Sequence, residues 1–147
     1  MNEKRFWFSI GLVWTTLMLT DWFFHGYWMQ PTYQATAHLW RPMNEIASNS
    51  WAMWVGHAFF AWSYVWIYTK GISNHHPWHQ AFRYAVAVFC ITSVPYLFMT
   101  WAVTPMTTDI IFRWFMIEAF QVFVCGFVVT WFYRAKIKWT ETAHHHA

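Results

Sequence analysis

The sequence predicts an all-α integral membrane protein, a bundle of four transmembrane helices with both termini on the cytoplasmic side. Three observations lead there. Of 147 residues 58% are hydrophobic and only 10% charged, more apolar surface than a soluble domain of this length can hide. Trp and Tyr number 14 and 7, and such amphipathic rings collect at membrane-water interfaces. Finally, the apolar residues fall into four runs, each of about the 20 residues needed to cross the hydrocarbon layer. The formal charge of +3 does not point to nucleic acid, because the basic residues are scattered between apolar runs.

The first run covers about 5–29 and stops at Pro31. Lys4 and Arg5 precede it as in a signal peptide. The run is too long for one, however, and lacks an A-x-A-like cleavage site, so it is expected to remain as a helix. The second run covers about 50–69 and ends at Lys70-Gly71, the third about 80–103 and the fourth about 108–133. Pro95 is expected to kink the third, with Thr92 and Ser93 near the freed backbone groups. Segment 31–49 is expected to lie along the interface, since Pro31 can open a helical turn and Tyr33, Ala37 and Trp40 form a short apolar stripe. Thr104-Pro105-Met106-Thr107 is long enough only for a turn. No linker divides the chain, which reads as a single membrane domain. Cys90 and Cys125 lie inside apolar runs and read as buried small hydrophobes rather than a disulfide.

Orientation follows from the basic residues. Lys4, Arg5, Lys70, Arg83, Arg134, Lys136 and Lys138 fall on the side that holds both termini, and only Arg41 and Arg113 on the other. The positive-inside rule places the first side in the cytoplasm.

Within this frame, Asp21-x3-His25-Gly26, then Tyr33-x2-Thr36-Ala37-x-Leu39-Trp40-Arg41-Pro42, then Trp66-Ile67-Tyr68 resemble small four-helix bacterial inner-membrane proteins to which no activity is assigned. The resemblance covers roughly the first half of the chain. It implies four spans and an inner-membrane location but carries no chemistry, which must be argued from the site.

An ionisable residue inside a span requires a partner or a role. The first run carries Asp21 and His25, the second His57, and the fourth Arg113, Glu118 and Gln121. At a rise of about 1.5 Å per residue, Asp21, His25, His57, Arg113 and Glu118 all lie within about 15 Å of the external ends of their helices. Asp21 and His25, four apart, share a face. The simplest reading is a structural polar network pinning helices together. A metal site is the second, with Asp21, His25, His57 and Glu118 as ligands. A haem or chlorophyll-type tetrapyrrole held by His25 and His57 is the third, and a proton relay the fourth. Two further histidine groups, His75, His76 and His79 in a loop and His144, His145 and His146 in the tail, read as polar surface with weak metal-binding character.

Nothing in the sequence matches a nucleophile motif, a phosphate loop or a cofactor fingerprint. The expected role is therefore a non-catalytic accessory subunit of a respiratory, oxygenase or photosynthetic membrane complex. Its partners would be other membrane subunits and bound lipids, never nucleic acid. The alternative is a small metal- or haem-binding membrane protein. Bulky Trp and Phe around the second and fourth runs suit docking on a neighbour.

Overall fold

The computed structural model describes residues 3–72 and 76–133. These residues are almost entirely helical, with no strand. Helix α1 spans Glu3–Phe23 and runs into a wider π turn, Phe24–Trp28. A short α2, Gln30–Ala35, and a 3₁₀ turn, Ala37–Leu39, fold the chain back. Three long helices follow: α3 Met43–Lys70, α4 Pro77–Val103 and α5 Thr108–Tyr133.

Local chemistry explains the boundaries. Pro42 is extended and cannot continue a helix backwards, so α3 starts directly after it. Pro77 opens α4, where its missing N–H costs nothing. Pro105 forces the preceding Thr104 into extended backbone and ends α4. The Thr107 hydroxyl then accepts from the Ile110 N–H at 3.4 Å at the start of α5.

Helix α5 packs most extensively on α4, while α1 lies against both α3 and α5. Ring contacts at Trp78–Phe127, Phe82–Phe123 and Phe89–Phe115 zip α4 to α5 in antiparallel fashion. Phe8 meets Phe132, and Tyr68 meets both Tyr84 and Tyr133. The start of α1, the end of α3, the start of α4 and the end of α5 therefore share one end of the bundle. At this end the core is closed, with Val13, Tyr64, Val65, Tyr68, Ala85, Cys125 and Val129 buried. Tyr64 on α3 donates to the Val122 carbonyl on α5 at 2.8 Å, and the Tyr84 hydroxyl on α4 donates to the Tyr64 carbonyl. Gly126 allows this approach: a Cβ there would stand 3.1 Å from both the Ala81 carbonyl oxygen and the Tyr64 hydroxyl.

The sequence-based boundaries of the first and last runs agree with these helices. Others need correction. Helix α3 begins at Met43 rather than near 50, so it takes up much of the segment expected to lie along the interface. Helix α4 passes through Pro95 without a break, and the Thr92 hydroxyl bonds the Val88 carbonyl rather than the Ile91 carbonyl that Pro95 leaves without its N–H partner. Cys125 is buried as expected, but Cys90 is exposed on the outer face of α4.

Four spans were expected, and two helices, α4 and α5, are long and apolar enough to cross a membrane. In α1 and α3 the apolar residues include Trp7, Trp14, Trp22, Trp51, Trp54, Trp62 and Trp66 and are interrupted by Thr15, Thr16, Thr20, Asp21, Ser48, Asn49, Ser50 and His57, which lowers their hydropathy. Of the most apolar stretches of α4 and α5, only 17% and 39% are buried inside the chain. That exposure differs from the core helix of a soluble domain, which hides its apolar face.

Candidate functional site

The end of the bundle opposite the tyrosines is open. Here α1 widens into the π turn, whose register is set by the Met29 N–H donating to the Phe24 carbonyl at 2.7 Å, five residues back. Such single wide turns recur at functional sites. His25 and Gly26 sit in the turn and Asp21 just before it, so one irregular segment presents all three.

Asp21 is the hub. One carboxylate oxygen, Oδ2, lies 2.8 Å from His57 Nε2 on α3. The other, Oδ1, accepts from the Gln121 amide on α5 at 2.6 Å and lies 3.9 Å from His25 Nε2. Gln121 also donates to the Thr20 hydroxyl at 2.9 Å. Three helices are thus joined through one carboxylate. Their side chains remain partly accessible, with 18% of Asp21, 24% of His57 and 34% of His25 exposed, which sets this hub apart from a sealed core network.

The heavy atoms dictate where protons must be. His57 Nδ1 lies 2.8 Å from the Met53 carbonyl, which can only accept, so Nδ1 carries a hydrogen. A 2.8 Å approach of Nε2 to a carboxylate oxygen requires a second hydrogen between them. The pair therefore shares a proton, as imidazolium and carboxylate or as imidazole and carboxylic acid, with the same placement of heavy atoms in both.

A second chain of bonds reaches the hub from the side. The Trp114 indole N–H on α5 donates to the Tyr33 hydroxyl at 2.9 Å, and that hydroxyl lies 2.5 Å from His25 Nδ1. In the tautomer that gives the Tyr33 hydrogen an acceptor, Tyr33 donates to Nδ1, and the other His25 nitrogen, Nε2, carries the hydrogen. The His25 and Tyr33 rings lie nearly parallel, 9° apart. Burial pushes the Tyr33 phenol up to about 12, the Trp114 hydrogen bond opposes the shift, and the Asp21 charge adds to it. Tyr33 also meets Trp40 edge-on, so the expected stripe of Tyr33 and Trp40 exists as a stacked corner between α2 and α5.

These groups border a cavity of about 980 Å³ between α1, α2 and the first half of α3. Asp21, His25 and Tyr33 line it with Met18, Trp22, Gly26, Met43, Met53, Trp54 and Trp114. Arg41 is at its edge, paired with Glu45 at 3.3 Å.

Of the residues singled out from sequence, Asp21, His25, His57 and Gln121 come together. Arg113 does not: it pairs with Asp109 at 2.8 Å on the surface and covers the Trp28 ring, because its i−4 neighbour is a closer carboxylate than any in the bundle. Glu118 faces the Ser93 hydroxyl on α4 and stays within electrostatic reach of Asp21 without bonding to it. Among the described residues no group of three or more His, Cys, Asp or Glu side chains is arranged to hold a metal ion. Of the two imidazoles, His57 has its Nε2 on the Asp21 carboxylate at 2.8 Å, whereas His25 has its Nδ1 on the Tyr33 hydroxyl and its Nε2 3.9 Å from that carboxylate. His76 and His79 stand at the surface at the start of α4, while His75, His144, His145 and His146 lie outside the described residues.

Sequence reasoning missed Thr20 and Trp114 as members of the network and placed Tyr33 in an apolar stripe. The only signal was the tyrosine's phenolic end, which must find a partner wherever the ring is buried. No family model, curated protein or solved structure matches the chain, so its function is argued from this geometry.

Proposed function

We propose that this chain is a four-span membrane protein of the bacterial inner membrane that binds an amphipathic small molecule in the Asp21–His25 cavity. The observation that carries the reading is the partly accessible, proton-sharing network at the wall of a large, mostly apolar cavity. Ligand sites have this character: apolar walls, a few convergent polar groups and a volume of roughly 300–1,000 Å³. A network serving only to pin helices has no reason to border open space.

Four spans are supported by the outer surface of α1 and α3. Trp7, Phe8, Leu19 and Trp22 on α1 and Trp51, Trp54, Phe59 and Trp62 on α3 are all largely exposed, an arrangement that lipid tolerates and water does not. In that frame Lys4, Arg5, Lys70 and Arg83 mark the cytoplasmic end, and both termini lie there. The cavity then opens in the outer half of the bilayer.

The test is to purify the protein from its native membrane in mild detergent and identify small molecules that accompany it by mass spectrometry. One compound enriched near equimolar ratio over bulk phospholipid, and depleted in Asp21→Asn and Gly26→Leu, is expected. The same bulk lipid profile in all three proteins would reject the proposal.

A second reading is an accessory subunit of a respiratory, oxygenase or photosynthetic complex. It is favoured by the first half of α3, where Trp51, Met53, Trp54 and Phe59 are exposed and α1 is the main support inside the chain. A stoichiometric membrane partner that is released by Trp51→Ser and Phe59→Ser is the outcome that would establish it. The two roles are compatible, since a subunit can present a ligand to its complex.

A further inference from the structure

We infer that the ligand head group is a quinone: a flat, uncharged ring with carbonyl oxygens, carried on an apolar tail. The inference rests on the ligand-binding reading above and narrows it to one chemical class.

The walls select a flat ring. Trp22, Trp54 and Trp114 line the cavity, together with Met18, Met43 and Met53. Indole faces and polarizable thioethers both pack well against a planar π system.

The polar wall selects an acceptor. Tyr33 gives its hydrogen to His25 Nδ1, which leaves the hydrogen of His25 on Nε2. Nε2 lies 3.9 Å from Asp21 Oδ1, beyond hydrogen-bond distance, and His25 lines the cavity, so its N–H can serve a carbonyl oxygen entering there. A quinone carbonyl accepts and does not donate, which matches a site whose nearest offered group is a donor.

Charge selects against the common alternatives. Among the described residues Arg41 is the one Lys or Arg that lines the cavity, and Glu45 pairs with it at 3.3 Å. A phosphate head group would therefore meet the Asp21 and Glu45 carboxylates with no cation to spare. A cationic head group would find Asp21 already bonded to His57 and Gln121. An uncharged head group meets neither penalty. The volume of about 980 Å³ exceeds what a single ring needs, leaving room for the first part of a tail. The tail has a way out, because Trp22 and Trp54 belong both to the cavity lining and to the exposed apolar surface of α1 and α3.

The test uses the full chain in detergent micelles, a decyl-tailed benzoquinone as probe and decylbenzene as the matched molecule without carbonyls. Quenching of intrinsic Trp fluorescence reports binding. Saturable quenching is expected, about tenfold weaker in His25→Phe, the loss of one hydrogen bond to the ligand. Gly26→Leu provides a second variant, which adds bulk at the cavity wall and removes no side chain of the polar network. A Cβ at Gly26 meets only Trp22 at 3.7 Å, so the added side chain fills the cavity and should also abolish saturation. Equal affinity for decylbenzene, or linear quenching that is identical in both variants, would overturn the quinone assignment. If the probe fails while native extracts still hold a compound depleted by Gly26→Leu, the head group is of another class and the ligand site stands. If neither is seen, both readings fall.

Discussion

At the Tyr64 end of the bundle the polar side chains tie one helix to the backbone of the next, whereas at the Asp21 end they bond to one another around open space. The Tyr64 hydroxyl reaches the Val122 carbonyl, and Tyr84 reaches the Tyr64 carbonyl, across interfaces narrowed by Ala81, Ala85 and Gly126. Small residues let helix backbones approach, and the tyrosines lock the approach. Around Asp21 a cavity opens beside the hub instead: α3 packs chiefly on α1, and α2 with its aromatic corner forms one side of the gap. The same chain therefore carries a rigid half, in which polarity serves packing, and a half in which polarity faces a space that a ligand can use.

This contrast can be broken at either end. The largest effect is expected for Gly126→Leu, which drives a side chain into the Ala81 carbonyl and the Tyr64 hydroxyl. Neither can yield easily, so a loss of about 3 kcal/mol is expected from overpacking. A falling melting temperature in detergent would show it. Tyr64→Phe keeps the ring and removes one bond to Val122, and should cost about 1 kcal/mol on the same assay.

Asp21→Asn sharpens the comparison from the other side. It keeps the shape of the hub but removes its charge and sets an amide NH₂ against either the His57 or the Gln121 donor, so a loss of about 1–2 kcal/mol is expected. Ligand enrichment should disappear nevertheless. A severe loss of stability with no effect on bound compounds would instead make the Asp21 end a second packing device.

Tyr33 offers a reading by pH. Its phenol is held up to about 12 by burial, so the folded chain favours the protonated form. The resulting stability is complete below its ordinary value of 10.0 and is lost as pH rises through the folded value. In the alkaline difference titration of wild type minus Tyr33→Phe, monitored by phenolate absorbance, one phenol should ionise near 12. Ionisation near 10 would mean that α2 does not close over His25. The smallest effect is expected for Arg113→Ala. This surface pair with Asp109 should contribute no more than about 0.5 kcal/mol, and ligand enrichment should be unchanged.

Much of the helical layout was legible because it depends on local facts: apolar runs of the right length, with Pro31, Pro42, Pro77 and Pro105 at or near their borders. The start of α3 was misjudged for a related reason, since Asn44, Glu45, Ser48 and Asn49 look like loop by polarity yet satisfy helical geometry behind Pro42. The site was partly legible. Asp21 and His25 share a face by spacing alone, and an ionisable residue among apolar neighbours demands a partner.

By itself the sequence determined that the chain is helical, that the ionisable residues inside its apolar runs lie toward one end, and that Asp21, His25 and His57 require company. Which groups would meet was decided only by tertiary structure. Depth along a helix follows from counting residues, but the direction a side chain faces depends on how each helix is rotated against its neighbours. The π turn after Phe23 shifts that rotation just where His25 stands. Packing then brought in Tyr33, Trp114 and Gln121, drew Glu118 towards Ser93, and left Arg113 to its own helical neighbour.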